Sequence, residues 1–217
     1  MIKSFFNTLS YVFHPLFLPL IGLYFLFELP TTSAGYIDTS LSNLRVDVKN
    51  SLYILFGFLT VVAPGFSVFI MYRNKMISTL TIENRNERII PLLLICVYYI
   101  LSYVFLRKMI PPQSVIPFLL PYVFGFSLST IVAFIMNFYV KISLHMIGIF
   151  GVAGAITGYF QNQIEYNLWF LLFLIIIGGI VGSARIYLKA HNLKEIVYGI
   201  VFGFGIEYFC MKFEWFI

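Results

Sequence analysis

The sequence predicts an all-α, polytopic membrane bundle of six or seven transmembrane segments, and three observations carry that prediction. Hydrophobic residues fill 60% of the 217 positions and charged residues only 11%, where a soluble domain carries about 25% charged residues. Mean hydropathy is +0.93. Apolar runs of membrane-crossing length recur along the chain, so residues 1–217 read as a single integral-membrane domain.

Seven apolar segments are expected, near residues 9–29, 51–72, 90–106, 115–140, 145–161, 167–187 and 194–211. The first, within YVFHPLFLPLIGLYFLFELP, is too long for a signal-peptide core and is followed by no small-residue cleavage site. A polar stretch at 31–50 separates it from the second. RNKMISTLTIENRNER, the most charged loop, leads into the third, and RKMIPPQS turns the chain into the fourth through Pro111 and Pro112. The fifth segment is short and glycine-rich, which predicts burial in protein rather than contact with lipid. Gly154 with Gly158, Gly178 with Gly182 and Gly199 with Gly203 form small-xxx-small pairs that let the last three helices approach closely. Cys96 and Cys210 lie inside apolar runs and read as reduced. The net charge of +5 favours anionic headgroups or phosphorylated substrates. With no basic tail or recognition motif, nucleic acid is excluded as a partner.

Charge is expensive next to a membrane span, about 2.5–3.5 kcal/mol for Arg or Lys at the bilayer centre, so ionisable groups there mark function. Arg185, His191 and Glu195 stand together in GSARIYLKAHNLKEIVYG between two apolar runs. Glu195 follows His191 by four residues, so on a helix its carboxylate reaches one imidazole nitrogen and leaves the other as nucleophile or base. Arg85 and Arg88, three apart, point the same way on a helical turn and suit a phosphate, although taken alone the loop reads first as a solvated helix start with ion pairs to Glu83 and Glu87. Ser143 and His145 open the fifth segment, where free N–H groups and a hydroxyl favour an anion. His14 is read as structural. Glu207 lies sixteen residues past His191, about 24 Å along a helix, too far to share its site and better suited to helix pairing. A metal set of His145, His191 and Glu195 lacks any compact motif and has arginines that would repel a cation. Counting segments returns the chain to one membrane side at the 73–89 loop, at 141–145 and at 185–191, so the polar constellations converge on one face.

The order of these motifs resembles the type 2 phosphatidic acid phosphatases of the lipid phosphatase and vanadium haloperoxidase superfamily, over residues 85–199. That family's pattern is K-x6-R-P, P-S-G-H and S-R-x5-H-x3-D. SARIYLKAHNLKE keeps Arg185 and His191 at the family spacing, with Glu195 for Asp and Ser183 displaced by one. ISLH keeps Ser143 and His145 but has Ile142 for Pro and Leu144 for Gly. Seven positions before Arg88 stands Thr81 rather than Lys, Pro91 comes late, and two apolar segments separate the first two motifs. The resemblance implies a divergent bacterial member in the cytoplasmic membrane, working without metal or cofactor. His191 would be the nucleophile, Glu195 its orienting partner and His145 the acid and base. Arg185, Arg88, Arg85 and Ser143 would bind the phosphate.

The expected substrate is a lipid phosphate entering sideways from the bilayer. Polyprenyl pyrophosphate, phosphatidylglycerol phosphate, phosphatidic acid and lipid A phosphates all fit. Nine basic residues fall on the site's side and five on the other, but six against five once the three arginines are set aside, so the positive-inside rule gives no orientation. The eroded first two motifs favour an alternative, a degenerate member that binds lipid phosphates without hydrolysing them. A small transporter would need midplane charges and repeated halves, and a prenyltransferase would need Asp-rich motifs; neither pattern is present.

Overall fold

A computed structural model describes residues 2–33, 40–80, 82, 84–109 and 118–214. Apart from turns and connections, the described residues form helices and one two-stranded ribbon, in which β1 (Thr32–Ser33) pairs antiparallel with β2 (Gln163–Glu165). The helices are α1 (Ile2–Val12), α2 (Leu18–Glu28), α3 (Val46–Phe56), α4 (Ala63–Arg73), α5 (Ile89–Met109), α6 (Leu119–Met136), α7 (Leu144–Phe160), α8 (Leu168–Tyr187) and α9 (Leu193–Lys212). A π-helical stretch, Gly57–Val62, joins α3 to α4 into one rod, giving eight helices in all among the described residues. Pro64 accounts for the π stretch, because it has no N–H to offer the Thr60 carbonyl and its ring crowds that turn.

Among the described residues, four helices are long and apolar enough to cross a membrane: Val46–Arg73, Asn86–Met109, Leu119–Met136 and Leu168–Tyr187. Leu18–Glu28 and Leu144–Phe160 are shorter apolar helices. α9 has the length, 20 residues, but carries Lys194, Glu195, Glu207 and Lys212. The expected first span is not one helix. Its residues divide between the end of α1 and α2, with His14 and Pro15 at the break. The start of the expected fourth span, and its breakers Pro111 and Pro112, lie outside the described residues.

α7 is the centre of the bundle, with 14 of its 17 residues buried against 5 of 20 in α8. It has protein on all sides, as its glycine content predicts. α2 runs beside it: Leu18 occupies the space a Cβ at Gly148 would take, Gly22 lies against Val152, and Thr31 Oγ1 meets the Tyr159 hydroxyl at 2.9 Å. α9 lies against its other side, backbone to backbone. A Cβ at Gly158 would sit 2.7 Å from the Tyr208 carbonyl and one at Gly199 2.8 Å from the Ser143 carbonyl, and Gly154 and Gly203 come closer still to Phe204 and Ile147. Cys96 and Cys210 are free and buried. Glu207 is fully buried between α6, α7 and α9, its carboxylate against Gly125, where neither oxygen has a hydrogen-bond partner among the described residues. Outward faces are apolar, with Ile54, Phe66, Ile176 and Val201 all exposed.

Candidate active site

The site forms where the start of α2, the start of α5, the start of α7 and the α8–α9 turn meet. The turn explains the spacing of Arg185 and His191. α8 ends in a Schellman motif: the Lys189 N–H donates to the Ile186 carbonyl at 2.9 Å and the Ala190 N–H to the Arg185 carbonyl at 3.0 Å. Lys189 takes the left-handed position at φ 55°, where glycine is usual. The reversal folds the chain back over its own last turn, and the His191 N–H also reaches the Arg185 carbonyl at 3.3 Å. Arg185 thereby sits in the last turn of α8, where the helix dipole favours a cation.

α9 begins one residue beyond His191 with a capping box. The Asn192 side chain accepts the Glu195 N–H at 3.0 Å, and Glu195 Oε2 accepts the Asn192 N–H at 3.2 Å. The same Oε2 stands 2.9 Å from His191 Nδ1, and the Lys141 carbonyl stands 3.0 Å from it. Both partners accept, so Nδ1 carries the proton and Nε2 keeps its lone pair. The cap therefore orients the carboxylate, and the carboxylate sets the histidine tautomer. Burial, then the Arg88 and Arg185 charges, push the His191 pKa down to about 4 against the upward pull of Glu195, which keeps the ring neutral at ordinary pH.

His145, the second residue of α7, is buried and donates from Nε2 to the Ser10 carbonyl of α1 at 3.0 Å. With the proton on Nε2, Nδ1 of the neutral ring carries the lone pair. His14 lies beside it, ring centroids 6.0 Å apart and edge-on, and accepts the Leu16 N–H at Nδ1 over 3.4 Å. Burial and the Arg185 charge hold the His14 pKa below its usual value.

Arg88 ends a 3-10 turn (Asn86–Arg88), is buried, and donates from Nε to the Ile82 carbonyl at 2.8 Å. The loop before it folds over Glu87, which accepts the Ser78 N–H and hydroxyl at 2.7 and 2.8 Å; these bonds lower its pKa. Thr81 and Glu83 lie outside the described residues.

His14, Arg88, His145, Arg185 and His191 line a cavity of about 100 Å³ whose other walls are apolar, including Pro15, Leu16, Leu92, Ile95 and Leu144. Those five residues also border an adjoining apolar cavity that continues to Tyr99, Phe126 and Ile147. On the other side of His14, His145 and Arg185 lies a second, more polar cavity of about 370 Å³ beneath α1, with Lys3 and Asn7 in its wall.

Of the residues expected from the sequence, Arg88, His145, Arg185 and His191 meet at one cavity, with Glu195 directly behind His191. Arg85 does not join them: it is exposed and its guanidinium donates to the Tyr139 carbonyl at 3.0 Å, at the far end of the 136–143 connection. Ser143 does not line the cavity either. It is fully buried at the α7–α9 contact, and its hydroxyl has no hydrogen-bond partner among the described residues. His14, read from the sequence as structural, lies in the cavity wall. The Ser10 and Lys141 carbonyls are the other groups the sequence reading missed. No group of three or more His, Cys, Asp or Glu among the described residues is arranged to hold a metal ion.

The sequence model of the PAP2 superfamily matches residues 92–217. This stretch includes His145, Arg185, His191 and Glu195, and begins after His14, Arg85 and Arg88. No curated protein and no solved structure matches the chain.

Proposed function

The chain belongs to the PAP2 superfamily, and from that premise we propose that it is an integral-membrane lipid phosphatase that hydrolyses a lipid phosphomonoester or pyrophosphate through a phosphohistidine. The observation that carries this reading is His191. Its Nδ1–H is held by Glu195 and by the Lys141 carbonyl, its Nε2 lone pair is left unprotonated, and Arg88 and Arg185 share its cavity.

In the first half-reaction His191 Nε2 attacks phosphorus, a P–N bond forms and the P–O bond to the lipid breaks. Glu195 stabilises the positive charge gained by the ring. The lipid oxygen takes the Nδ1 proton of His145 in its imidazolium form, the Nε2–H stays on the Ser10 carbonyl, and the ring is left neutral. In the second, water gives its proton back to His145 and its oxygen to phosphorus, and the P–N bond breaks. Arg88 and Arg185 stabilise the transferring phosphoryl oxygens, and one such donor is typically worth about 3–4 kcal/mol. Arg85 and Ser143 are left out of this scheme on their positions.

The apolar walls support a lipid substrate. From the arginine end the cavity runs past Leu92 and Ile95 towards Tyr99 and Phe126, so a hydrocarbon chain has a path among α2, α5 and α6 while its phosphate reaches the cations. We read α2, the α3–α4 rod and α5 to α9 as seven crossings of one domain, with α2 and α7 crossing side by side. Every end that bears a site residue then falls on one face.

Phosphate release by the detergent-purified chain from a panel of lipid phosphates, with EDTA present and His191→Ala as control, tests the proposal. Release that survives EDTA, disappears in the variant and passes through an acid-labile phosphoenzyme is the expected result. Binding of the same lipids with no release above the variant would replace this reading with the degenerate, lipid-binding one.

A further inference from the structure

We propose that His14 is a phosphate ligand of this site, supplied by the N-terminal segment outside the matched family region, and that its Nε2–H donates to an oxygen of the bound phosphoryl group. The inference rests on the phosphatase reading for the identity of that oxyanion.

The geometry of the ring leads there. Nδ1 accepts the Leu16 N–H, so a neutral His14 carries its proton on Nε2. The Leu16 bond is the one hydrogen bond to this ring among the described residues. His14 lines the cavity it shares with Arg88, Arg185 and His191 and also the polar one beneath α1, and the two guanidinium groups of the first make it the place for an oxyanion to meet the remaining donor. A neutral N–H next to two guanidinium groups complements an oxyanion without adding a third repelling cation.

The position is also built. The ring sits at the break between α1 and α2, where the His14 N–H bonds the Tyr11 carbonyl and the His14 carbonyl accepts the Phe17 N–H at 2.9 Å. Just beyond, Leu18 seats against Gly148 and the Tyr122 hydroxyl donates to the Pro19 carbonyl, which anchors the start of α2. His14 and His145 are thus held edge to face in the wall between the two cavities. The pair divides the work: the Nε2–H of His145 is taken by Ser10, whereas that of His14 is available to a ligand.

Three variants of the full chain separate a ligand from a packing group. His14→Phe keeps the ring and its edge contact but has no donor, His14→Gln keeps an N–H near the imidazole Nε2, and His14→Ala removes both. Two readouts are needed: turnover of a lipid phosphate, and thermal stabilisation of the protein by inorganic phosphate, which requires no catalysis. Phe and Ala should lower kcat about 100-fold and raise the phosphate concentration needed for a given stabilisation about tenfold, with Gln keeping kcat within about tenfold of wild type. A Phe variant equal to wild type in both readouts, or a Gln variant as impaired as Phe, would overturn the proposal. If wild type is stabilised by phosphate yet hydrolyses no lipid, the phosphatase reading falls, and the phosphate dependence of Phe against Gln still decides the role of His14. A wild type with neither response sinks both.

Discussion

The histidine end of this site, proposed to hold the nucleophile, and the Arg88 end are built differently. His145, His191 and Glu195 stand at the ends of α7 and α9, two helices in backbone contact through Gly154, Gly158, Gly199 and Gly203. Arg88 stands on a 3-10 turn after an exposed loop, anchored by the Ile82 carbonyl, and α5 behind it packs on α4 and α6. The contrast follows from what each group must do. A nucleophilic imidazole needs its tautomer and direction held closely. A guanidinium on a long stem tolerates displacement, and next to Arg88 the cavity wall is made of the apolar side chains of Leu92 and Ile95, the side from which the proposed lipid substrate would approach.

Breaking the seam should have the largest effect. Gly203→Leu drives a side chain into the Ile147 backbone and should cost about 3 kcal/mol or more, read as lost thermal stability in detergent. Gly205→Leu on the same helix meets nothing within 4 Å and should stay within about 0.5 kcal/mol. Next, Glu195→Gln keeps a side chain able to accept the Nδ1–H but loses the charge that stabilises the ring, so kcat should fall about 100- to 1,000-fold with little change in KM.

On the cation side, Arg88→Ala should lower kcat/KM about 100-fold, whereas Arg85→Ala, already committed to Tyr139, should change it less than about twofold. Equal losses at the two arginines would show that the loop rearranges around substrate.

Acid should act on the nucleophile end. His191 is lowered from 6.5 to about 4, with Arg88 and Arg185 facing it against Glu195, so between those values the unfolded chain binds the extra proton. Stability contributed by neutral His191 is therefore complete above about pH 6.5 and is lost as pH falls towards 4. His191→Gln should flatten the fall in unfolding temperature across that window. The smallest effect is expected at the turn that joins the two ends of the nucleophile motif. Lys189→Gly relieves a left-handed φ of 55° and should be neutral or stabilising, by about 0.5 kcal/mol.

Much of this was legible because it is local. Arg185, His191 and Glu195 lie within one helix–turn–helix, where spacing alone sets proximity, and the Asn192-x-x-Glu195 pattern even announces the cap that aims the carboxylate. The glycine pairs announced a close contact between late helices but not which two would touch. Hydropathy gives no sign of the bend at His14 and Pro15, which divides the first apolar segment between α1 and α2.

The sequence by itself determined the helical membrane-type class and the His191–Glu195 pairing, since composition and helical period dictate both. Only the tertiary structure decided that His14 joins the cavity, that Arg88 rather than Arg85 enters it, and that the Ser10 and Lys141 carbonyls pin the two histidines. Those outcomes depend on contacts across 50 to 135 positions of chain. They use backbone carbonyls that every residue carries, so no residue type marks them in advance.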